Sequence, residues 1–396
     1  MNNAVNLVIL AGGRGTRIKK HLGNFPKPMV KFNKKNFLDY HIKNLSRFNF
    51  KKIYIITGYK HKYIHNKFHN KKFNLIDIEC INEKKLKGTA GALFVLKNKI
   101  KGDFILTNGD TIFDININFL IKSLTKKSLC SIALIKKKEA KESYKLNKLI
   151  LKNNKIVFSK NGNLVNGGIY FFKQKFLKYI DNKFSSLEND IIPLLVKKKL
   201  VNGKIFDSFF LDIGTPKTFK QSSKKLLNYF KRPAVFLDRD GVINYDFGHV
   251  YKFKDFKFRP HVLSALSFLN EKKYYIFVVT NQSGIAKGFY SEKSFFKLHK
   301  KIRSFLSKKN IFIDGVQYAP YHQNAKIKKY KKKSLLRKPG NLMLKNIMNE
   351  WHIDSKKSFM IGDQISDQIA AKKSKLYFEF VKKDLLGQIK KINKRF

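Results

Sequence analysis

The chain has 396 residues, of which 43% are hydrophobic and only eight are proline. This is enough apolar material for two packed cores and too much chain for one ordinary domain, so we predict a two-domain globular protein without long disorder. Two cysteines are too few for a disulfide framework or a multi-cysteine metal site. The apolar runs fall short of the roughly 20 residues that a membrane helix needs. We therefore expect a reduced, soluble, cytoplasmic protein.

The charge is strongly positive, with 84 Lys and Arg against 27 Asp and Glu and a net charge of +57. Alone, that excess would suggest a polyanion such as nucleic acid or an anionic membrane as partner. Only nine of the basic residues are arginine, and the lysines are spread over the whole chain. This is typical of a global bias and not of a localised phosphate-binding stripe. We expect no nucleic-acid and no membrane partner; a basic nucleic-acid-binding module is the alternative from a different class.

Short β-branched runs alternate with helical stretches along the chain. The runs occupy residues 5–10, 53–57, 104–107, 235–237, 275–280 and 359–361. This alternation predicts βαβ units and parallel sheets, and each run ends at a polar or glycine-rich turn, where open α/β sheets bind ligands. The first run passes directly into a glycine loop without a cationic leader, so it predicts a strand and not a signal peptide.

The alternation restarts after residues 215–233, which predict a linking helix. We therefore predict two domains, over residues 1–228 and 232–390. The two halves carry different turn motifs, so they are different domains and not a duplication. The predicted fold class is α/β, with two Rossmann-like three-layer domains and mostly parallel sheets.

The loop after the first run contains Gly12, Gly13 and Gly15, whose backbone N–H groups can approach phosphate oxygens without a Cβ in the way. Arg17 and the proline-flanked Lys27 offer cations to the same phosphates. The loop lacks the dinucleotide-binding and Walker patterns, so alone it also fits a tight strand-to-helix turn. Together, LAGGRGTR and PKPM resemble the N-terminal segment of the sugar-phosphate nucleotidylyltransferases.

That resemblance covers most of the first domain, with its motifs in the expected order, and implies a nucleotidyltransferase fold. The residues it implies are Gly88 in EKKLKGTAGAL at the base, Asp110 and Asp212 as metal ligands, and Asn166, Gly167, Glu188 and Lys160 at the sugar and its phosphate. Two positions depart from the family pattern. Ile18 stands where leucine is usual, and Lys160 lacks its usual acidic neighbour.

The reaction of this family joins two polyanions. A sugar 1-phosphate oxygen attacks the α-phosphorus of a nucleoside triphosphate, and pyrophosphate leaves. Mg²⁺ on Asp110 and Asp212, together with Arg17 and Lys27, would offset the repulsion and the charge on the leaving group. Because the phosphate nucleophile is already anionic, little proton chemistry is needed.

The second half begins with two carboxylates, Asp238 and Asp240, directly after a strand. Two carboxylates at this spacing can divide the labour, one attacking phosphorus and the other protonating the leaving oxygen and later activating water. A bare DxD is common by chance. Here it is followed in order by Thr280, Asn281, Lys338, Asp363 and Asp367. The ordered set resembles the haloacid dehalogenase superfamily.

This second resemblance implies a haloacid dehalogenase-like fold and a role for each matching residue. Asp238 would form an aspartyl-phosphate, and Asp240 would be the general acid and base. Thr280, Asn281 and Lys338 would contact the phosphoryl group or the substrate. Asp238 and Asp363 would bind Mg²⁺, and Asp367 would support the metal.

A finer resemblance links DRDGVIN, TNQSGIAKGFYSEKSF, RKPG and GDQISD to the branch of heptose bisphosphate phosphatases and histidinol phosphatases. The four positions of that branch's zinc loop hold Ala319, Tyr321, Ser334 and Leu336. None of these is a normal zinc ligand, and His322 alone cannot build a tetrahedral site. We predict no structural zinc, with residues 326–333 ordered by other means or mobile.

Together the two resemblances imply a bifunctional enzyme of nucleotide-sugar biosynthesis. The second domain would remove the 7-phosphate of D-glycero-D-manno-heptose 1,7-bisphosphate, and the first would transfer a nucleotidyl group, GMP from GTP, to the 1-phosphate for surface glycans such as lipopolysaccharide. Mg²⁺ would serve both sites, and the partners would be small molecules: a nucleoside triphosphate, a sugar 1-phosphate and a sugar bisphosphate. The oligomeric state is open.

Two further alternatives stand beside this interpretation. One is a hexose 1-phosphate guanylyl- or uridylyltransferase fused to a phosphatase of other specificity, such as histidinol phosphate. The other is a second domain that is a non-catalytic scaffold, since the zinc loop is missing.

Overall fold

The computed structural model describes residues 4–140 and 149–396. The chain divides into two compact units, Met1–Tyr229 and Phe230–Phe396. Among the described residues, no helix is both long and apolar enough to cross a lipid bilayer.

The strands of the first unit follow the apolar runs of the sequence. They are β1 (Asn6–Ala11), β2 (Lys31–Phe32), β3 (Lys35–Asn36), β4 (Ile53–Thr57), β5 (Lys72–Phe73), β6 (Ile76–Asn82), β7 (Phe104–Asn108), β8 (Thr111–Phe113), β9 (Cys130–Lys136), β10 (Leu149–Lys152), β11 (Lys155–Phe158), β12 (Leu164–Phe172), β13 (Val201–Ile205) and β14 (Phe210–Asp212). The central strands are buried almost throughout, because helices and loops cover a parallel sheet.

The helices of this unit are short, apart from two. They are α1 (Lys19–Leu22), α2 (Phe37–Ser46), α3 (His61–Phe68), α4 (Gly88–Gly91), α5 (Ile117–Lys122), α6 (Lys137–Ala140), α7 (Ile192–Lys197) and α8 (Pro216–Phe230). Helix α2 starts with a capping box, in which the side chains of Asn36 and Asp39 bond each other's backbone N–H groups. Helix α8 lies within the stretch for which the sequence predicts a linking helix.

Ten strands form one mixed sheet in the order β10-β11-β13-β9-β12-β7-β1-β4-β6-β5. Strands β7, β1, β4 and β6 run parallel, whereas β12 is antiparallel to both β7 and β9. The chain moves outward from β1 to β6 and then returns to the other side of β1 as β7. Ligands bind at such a reversal, beyond the carboxyl ends of the strands. The loops at this reversal carry Gly12 and Asp110.

The second unit is a smaller doubly wound domain. Its strands are β15 (Ala234–Leu237), β16 (Tyr275–Asn281), β17 (Gly315–Ala319), β18 (Phe359–Gly362) and β19 (Tyr377–Phe380), and its helices are α9 (Val262–Glu271), α10 (Ser283–Ala286), α11 (Glu292–Lys308), α12 (Leu342–Glu350), α13 (Ile365–Lys373) and α14 (Leu385–Arg395). A core of aliphatic and aromatic side chains from β15, β16, α9 and α14 lies against the sheet.

All strand pairs of this sheet are parallel, in the order β17-β16-β15-β18-β19. The order reverses between β15 and β18, and Asp238 and Asp363 directly follow these two strands. The predicted α/β fold class is confirmed in both units. The six predicted strands are all present, each within one residue at either end. The first unit departs from a mainly parallel sheet, because antiparallel strands flank its parallel centre.

Candidate active sites

A pocket of about 780 Å³ opens at the strand reversal of the first unit. Ten of the residues that the sequence singles out line it: Gly12, Gly13, Gly15, Arg17, Lys27, Gly88, Asp110, Asn166, Glu188 and Asp212. Gly167 and Lys160 are not among the described residues of its lining. Of these two, Gly167 packs against the Phe113 ring, which leaves no room for a Cβ.

The two predicted metal ligands of this pocket lie together. The Thr111 hydroxyl contacts Asp110 Oδ1 at 3.2 Å and Asp212 Oδ2 at 3.0 Å. The buried ammonium of Lys27 lies 2.5 Å from Asp110 Oδ2. The antiparallel pairing of β8 with β14 places Thr111 opposite Asp212. Thr111, which the sequence analysis did not single out, therefore holds the two carboxylates close together.

The charges of this centre are unbalanced. Burial disfavours the charged form of Asp110, but Lys27 more than compensates and lowers the pKa of this carboxyl. Burial and then the negative charge of Asp110 raise the pKa of Asp212 to about 6. One lysine beside two neighbouring carboxylates leaves an excess of negative charge that favours an additional cation, and the hard oxygen atoms of the carboxylates fit Mg²⁺.

Hydrogen bonds between side chains join the predicted sugar-contacting residues at the other end of the pocket. Asn166 Nδ2 donates to the Tyr170 hydroxyl at 2.6 Å, and that hydroxyl donates to Glu188 Oε1 at 3.1 Å. The Thr89 hydroxyl donates to Glu188 Oε2 at 2.7 Å. Asn166 and Glu188 are therefore held in place by Tyr170 and Thr89.

Glu83 is a further carboxylate of the pocket, and it is buried. It lies so close to Gly12 that a Cβ on the glycine would collide with the carboxylate. Burial raises the pKa of Glu83 to about 7. Its Oε2 atom is buried and has no hydrogen-bond partner in the described part of the chain. Glu83 thus offers an unused acceptor beside the glycine loop, a role that the sequence analysis did not assign to it.

In the second unit, three carboxylates and one lysine meet at the strand reversal. Carboxylate oxygens of Asp238, Asp363 and Asp367 lie within 4.8 Å of one another. The Lys338 ammonium lies 2.7 Å from Asp238 Oδ1 and 2.5 Å from Asp367 Oδ1. Burial opposes the charge of Lys338, but Asp238 and Asp367 raise its pKa above the ordinary value.

This cluster also fits a divalent cation. Asp363 Oδ1 is buried and has no hydrogen-bond partner among the described residues. Gly241 has a φ of 85°, and a Cβ there would collide with the Asp363 carboxylate, so glycine allows the approach. Burial raises the pKa of Asp238 to about 7 although Lys338 opposes the shift. A metal ion on these oxygens would favour the charged, nucleophilic form of Asp238.

The predicted acid and base, Asp240, is held by several donors. Arg239 is fully buried and bonds both carboxylate oxygens, with Nη2 2.8 Å from Oδ2. Asn244 Nδ2 donates to Oδ1 at 3.0 Å, and Gln282 Nε2 donates to Oδ2 at 2.9 Å. The Tyr290 hydroxyl donates to Gln282 Oε1 at 2.5 Å. Gln282 and Tyr290 were not singled out from the sequence, although Gln282 directly follows the Thr280-Asn281 pair.

The remaining predicted residues of this site lie nearby with different partners. Thr280 Oγ1 accepts a hydrogen bond from Gln282 at 2.9 Å. Asn281 uses both ends of its side-chain amide on the backbone of Lys338, at 3.0 and 3.1 Å. Asn281 therefore fixes the backbone of Lys338.

The segment that holds zinc in the resembling branch is packed by aromatic side chains here. Tyr330 is buried in a small cluster with Ile285, Ala286, Tyr290, Phe295 and Ala325. Its backbone carbonyl accepts the N–H of His322 at 3.2 Å, and its ring lies 6.2 Å from that of Tyr321. Packing thus holds the part of this segment around Tyr330. The prediction that residues 319–336 bind no zinc stays a prediction.

Both units thus place lysine and carboxylate side chains at the reversal of an α/β sheet, an arrangement that suits binding of a phosphate and a metal ion and is typical of phosphoryl-transfer enzymes. Residues 6–229 match the family model described as nucleotidyl transferase, and residues 237–385 match the one described as polynucleotide kinase 3 phosphatase.

Known proteins resemble each half. The chain is 42% identical over 144 residues to a D-glycero-beta-D-manno-heptose-1,7-bisphosphate 7-phosphatase of Photorhabdus laumondii, covering 36% of this chain and 77% of the relative. A protein of the same name from Haemophilus influenzae is 40% identical over 134 residues, covering 34% and 72%. The crystal structure of HddC from Yersinia pseudotuberculosis aligns with a TM-score of 0.48 and 27% identity, over 56% of this chain and 99% of that one.

The chain belongs to the nucleotidyl transferase family through its first unit and to the heptose-1,7-bisphosphate 7-phosphatase family through its second. It is an enzyme with a nucleotidyltransferase domain and a phosphatase domain. Both resemblances found in the sequence are confirmed.

Proposed function

We propose that the chain converts D-glycero-D-manno-heptose 1,7-bisphosphate to a nucleotide-activated heptose in two steps. The second unit removes the 7-phosphate, and the first unit transfers GMP from GTP to the remaining 1-phosphate. The observation that carries the proposal is the presence of a nucleotidyltransferase domain and a phosphatase domain in one chain. Over 144 residues the chain is 42% identical to a heptose bisphosphate phosphatase. The product of that reaction is a sugar 1-phosphate, the substrate class of the first site.

In the phosphatase step, an Asp238 oxygen attacks the phosphorus of the 7-phosphate, and the bond from phosphorus to the sugar oxygen breaks. Asp240 gives its proton to that oxygen and then takes one from the water that hydrolyses the aspartyl-phosphate. Lys338 offsets the charge of the nucleophile and of the phosphate. Mg²⁺ on Asp238 and Asp363 would supply further charge neutralisation. Arg239, Asn244 and Gln282 hold Asp240 at the side of the leaving group.

In the nucleotidyl step, the 1-phosphate is the nucleophile and needs no base. Lys27, which lies on Asp110, and Arg17 would bind the triphosphate, and the Gly12 loop would bind its oxygens through backbone N–H groups. Asp110 and Asp212 would hold Mg²⁺, which would supply positive charge to offset the negative charge of the leaving pyrophosphate. Nucleoside triphosphates as substrates agree with a cytoplasmic location.

Glu83 supports the choice of guanine. A carboxylate accepts two parallel hydrogen bonds, and guanine offers two adjacent donors on its Watson–Crick edge, the N1–H and the 2-amino group. Glu83 Oε2 is buried without a partner among the described residues, and it lies at the wall of the pocket beside Gly12. Cytosine and uracil cannot pair both oxygens of a carboxylate in this way.

The test offers the purified chain heptose 1,7-bisphosphate with Mg²⁺ and GTP, ATP, CTP or UTP, and identifies the nucleotide sugar by mass spectrometry. We expect release of the 7-phosphate and formation of GDP-heptose with GTP. Heptose 1-phosphate, offered alone with GTP, serves as a control for the second step. Turnover of the bisphosphate without any nucleotide sugar would contradict the bifunctional proposal, and a different preferred nucleotide would contradict the role of Glu83.

A further inference from the structure

The nucleotidyl pocket of the first unit has an uneven distribution of charge. The chain carries a net charge of +57, but the described lining of this pocket contains four carboxylates and only two cations, Arg17 and Lys27. Lys27 lies on Asp110, and the glycine loop that precedes Arg17 packs against Lys27 at Gly15. Both cations therefore belong to the metal-binding end of the pocket.

We call the part of the pocket around Asn166, Tyr170 and Glu188 the sugar end. Strands β10 and β11 contribute apolar side chains to the pocket: Leu149, Ile156 and Phe158. Leu149 pairs with Leu164, two residues before Asn166 on β12, so these apolar side chains adjoin the sugar end. Since both cations belong to the metal-binding end, the Glu188 carboxylate is the one charged group in the described lining of the sugar end.

Phe184 extends this apolar surface. It precedes Glu188 by four residues, lines the pocket and is 78% exposed. A phenylalanine is usually buried, because contact of its ring with water is unfavourable. A large apolar side chain that lines a pocket and remains exposed is typical of a contact with a ligand.

The backbone on both sides of Phe184 is fixed against α4. The Ser185 carbonyl accepts the N–H of Ala90 at 3.0 Å. On the other side, the Lys183 carbonyl packs so closely on Gly91 that a Cβ there would collide with it. The exposure of the ring is therefore a property of a fixed loop, and binding against the ring costs little ordering entropy.

A second phosphate on the acceptor sugar would meet this surface. In our proposal the 1-phosphate lies at the metal-binding end, so the carbon atoms farthest from C1 lie toward the sugar end. A phosphate dianion there would lose water without gaining a described cation, and the Glu188 carboxylate would repel it. A sugar end that carries only hydroxyl groups would instead pack its C–H groups against the Phe184 ring.

We propose that the sugar end, through Phe184, rejects acceptors that carry a second phosphate, so that the first unit activates a sugar 1-phosphate only after the phosphatase has acted. The group that occupies the sugar end is the uncharged carbon chain of a sugar 1-phosphate. This inference rests on the proposed function, since it concerns the acceptor of that reaction. Rejection of the wrong acceptor by an unpaired charge is a general source of specificity.

The test measures kcat/KM of nucleotidyl transfer to heptose 1-phosphate and to heptose 1,7-bisphosphate, by pyrophosphate release and by mass spectrometry of the product. Every protein in the test is the full chain with Asp238→Asn, so that the second unit does not dephosphorylate the bisphosphate. We expect the parent with Phe184 to prefer the monophosphate by about 100-fold or more, the usual effect of an unpaired charge beside a like charge in a binding site.

Phe184→Lys supplies a cation at the sugar end. We expect it to narrow the preference by about tenfold or more, the usual effect of a charge-assisted hydrogen bond, by raising turnover of the bisphosphate. Phe184→Leu keeps the surface apolar and should retain the preference. Phe119→Lys is the matched control, because it places a lysine at an exposed phenylalanine of α5 that does not line the pocket, and it should also retain the preference.

Equal turnover of the two esters by the parent, or an unchanged preference in Phe184→Lys, would overturn the inference. The same narrowing in Phe119→Lys would also overturn it, because a positive charge far from the sugar end would then have the same effect.

Glucose 1-phosphate and glucose 1,6-bisphosphate, offered with each of the four nucleoside triphosphates, separate this inference from the proposed function. If neither heptose ester is accepted but the glucose pair shows the preference and its narrowing in Phe184→Lys, the proposed acceptor is wrong and the inference stands. If heptose 1-phosphate and the bisphosphate are accepted equally well, the proposed function stands and the inference falls.

Discussion

The two centres of this chain use similar parts in different ways. In the first unit, Lys27 contacts Asp110 at the wall of an open pocket. The hydroxyl of Thr111 joins Asp110 to Asp212. In the second unit, Lys338 lies between Asp238 and Asp367 and is almost completely buried.

The chemistry of each proposed step explains this difference. In nucleotidyl transfer both reacting groups belong to the substrates, so the protein needs only cations and space for two large polyanions. In the phosphatase a protein carboxylate is the nucleophile, so it must be confined beside the lysine that offsets its charge. The comparison teaches that a centre whose nucleophile belongs to the protein is more deeply buried here than one whose reacting groups both come from substrates.

The largest expected effect comes from Asp238→Asn. We expect phosphate release to fall on the order of 10⁴-fold or more, because the amide cannot attack phosphorus, while nucleotidyl transfer is unchanged. The measurement is phosphate release from the bisphosphate beside pyrophosphate release from GTP and heptose 1-phosphate. An unchanged phosphatase rate would show that the second centre does not work as described.

The reciprocal variant is Asp110→Asn. Loss of one charge at the metal site should lower nucleotidyl transfer by about 10²- to 10³-fold and leave phosphate release intact. Asp77→Asn, which removes an exposed aspartate paired with Lys72, is the matched control and should affect neither rate. If both activities fell in Asp110→Asn, the two centres would not be independent.

A smaller effect is expected from Gln282→Leu, which removes one donor to Asp240. We expect kcat for the sugar phosphate to fall about 10- to 100-fold with little change in KM, because protonation of the leaving oxygen is impaired. p-Nitrophenyl phosphate, whose leaving group needs no proton, should lose less activity than the sugar phosphate, because only the activation of water by Asp240 is affected with this ester. Gln368→Leu, on an exposed face of α13, is the control. An equal loss on both esters would argue for a general structural defect.

The smallest effect concerns stability and Glu83. Burial raises the pKa of this carboxyl from 4.5 to about 7 in the folded protein, so the folded state binds the proton more tightly than the unfolded state does. Its contribution to stability is complete below pH 4.5 and is lost as the pH rises through 7. We expect the wild type to lose about 3 kcal/mol relative to Glu83→Gln between pH 4.5 and pH 8, measured by denaturant unfolding without Mg²⁺. A difference between the two proteins that does not change with pH would contradict the buried state of Glu83.

Much of the fold was predictable because its signals are local. Apolar runs such as Ile53–Thr57 and Phe359–Gly362 are buried strands of parallel sheets, and a polar or glycine turn follows each. The resemblances carried by the ordered motifs implied Asp110, Asp212, Asp238 and Asp363, and the structure brings Asp110 close to Asp212 and Asp238 close to Asp363.

The partners of these residues were not predictable, because they depend on contacts between distant parts of the chain. Thr111 meets Asp212 across 101 residues through the pairing of β8 with β14, which no local pattern indicates. The antiparallel strands beside the parallel centre of the first sheet were missed for the same reason.

The sequence by itself determined which side chains can do chemistry and in what order they occur, since residue types and strand periodicity are properties of the chain alone. Only the tertiary structure decided the state of these side chains. Burial raised the pKa of Glu83 and left the Arg337 guanidinium with an unpartnered donor among the described residues. The physical reason is that solvation and electrostatic interaction depend on which distant segments exclude water around a group.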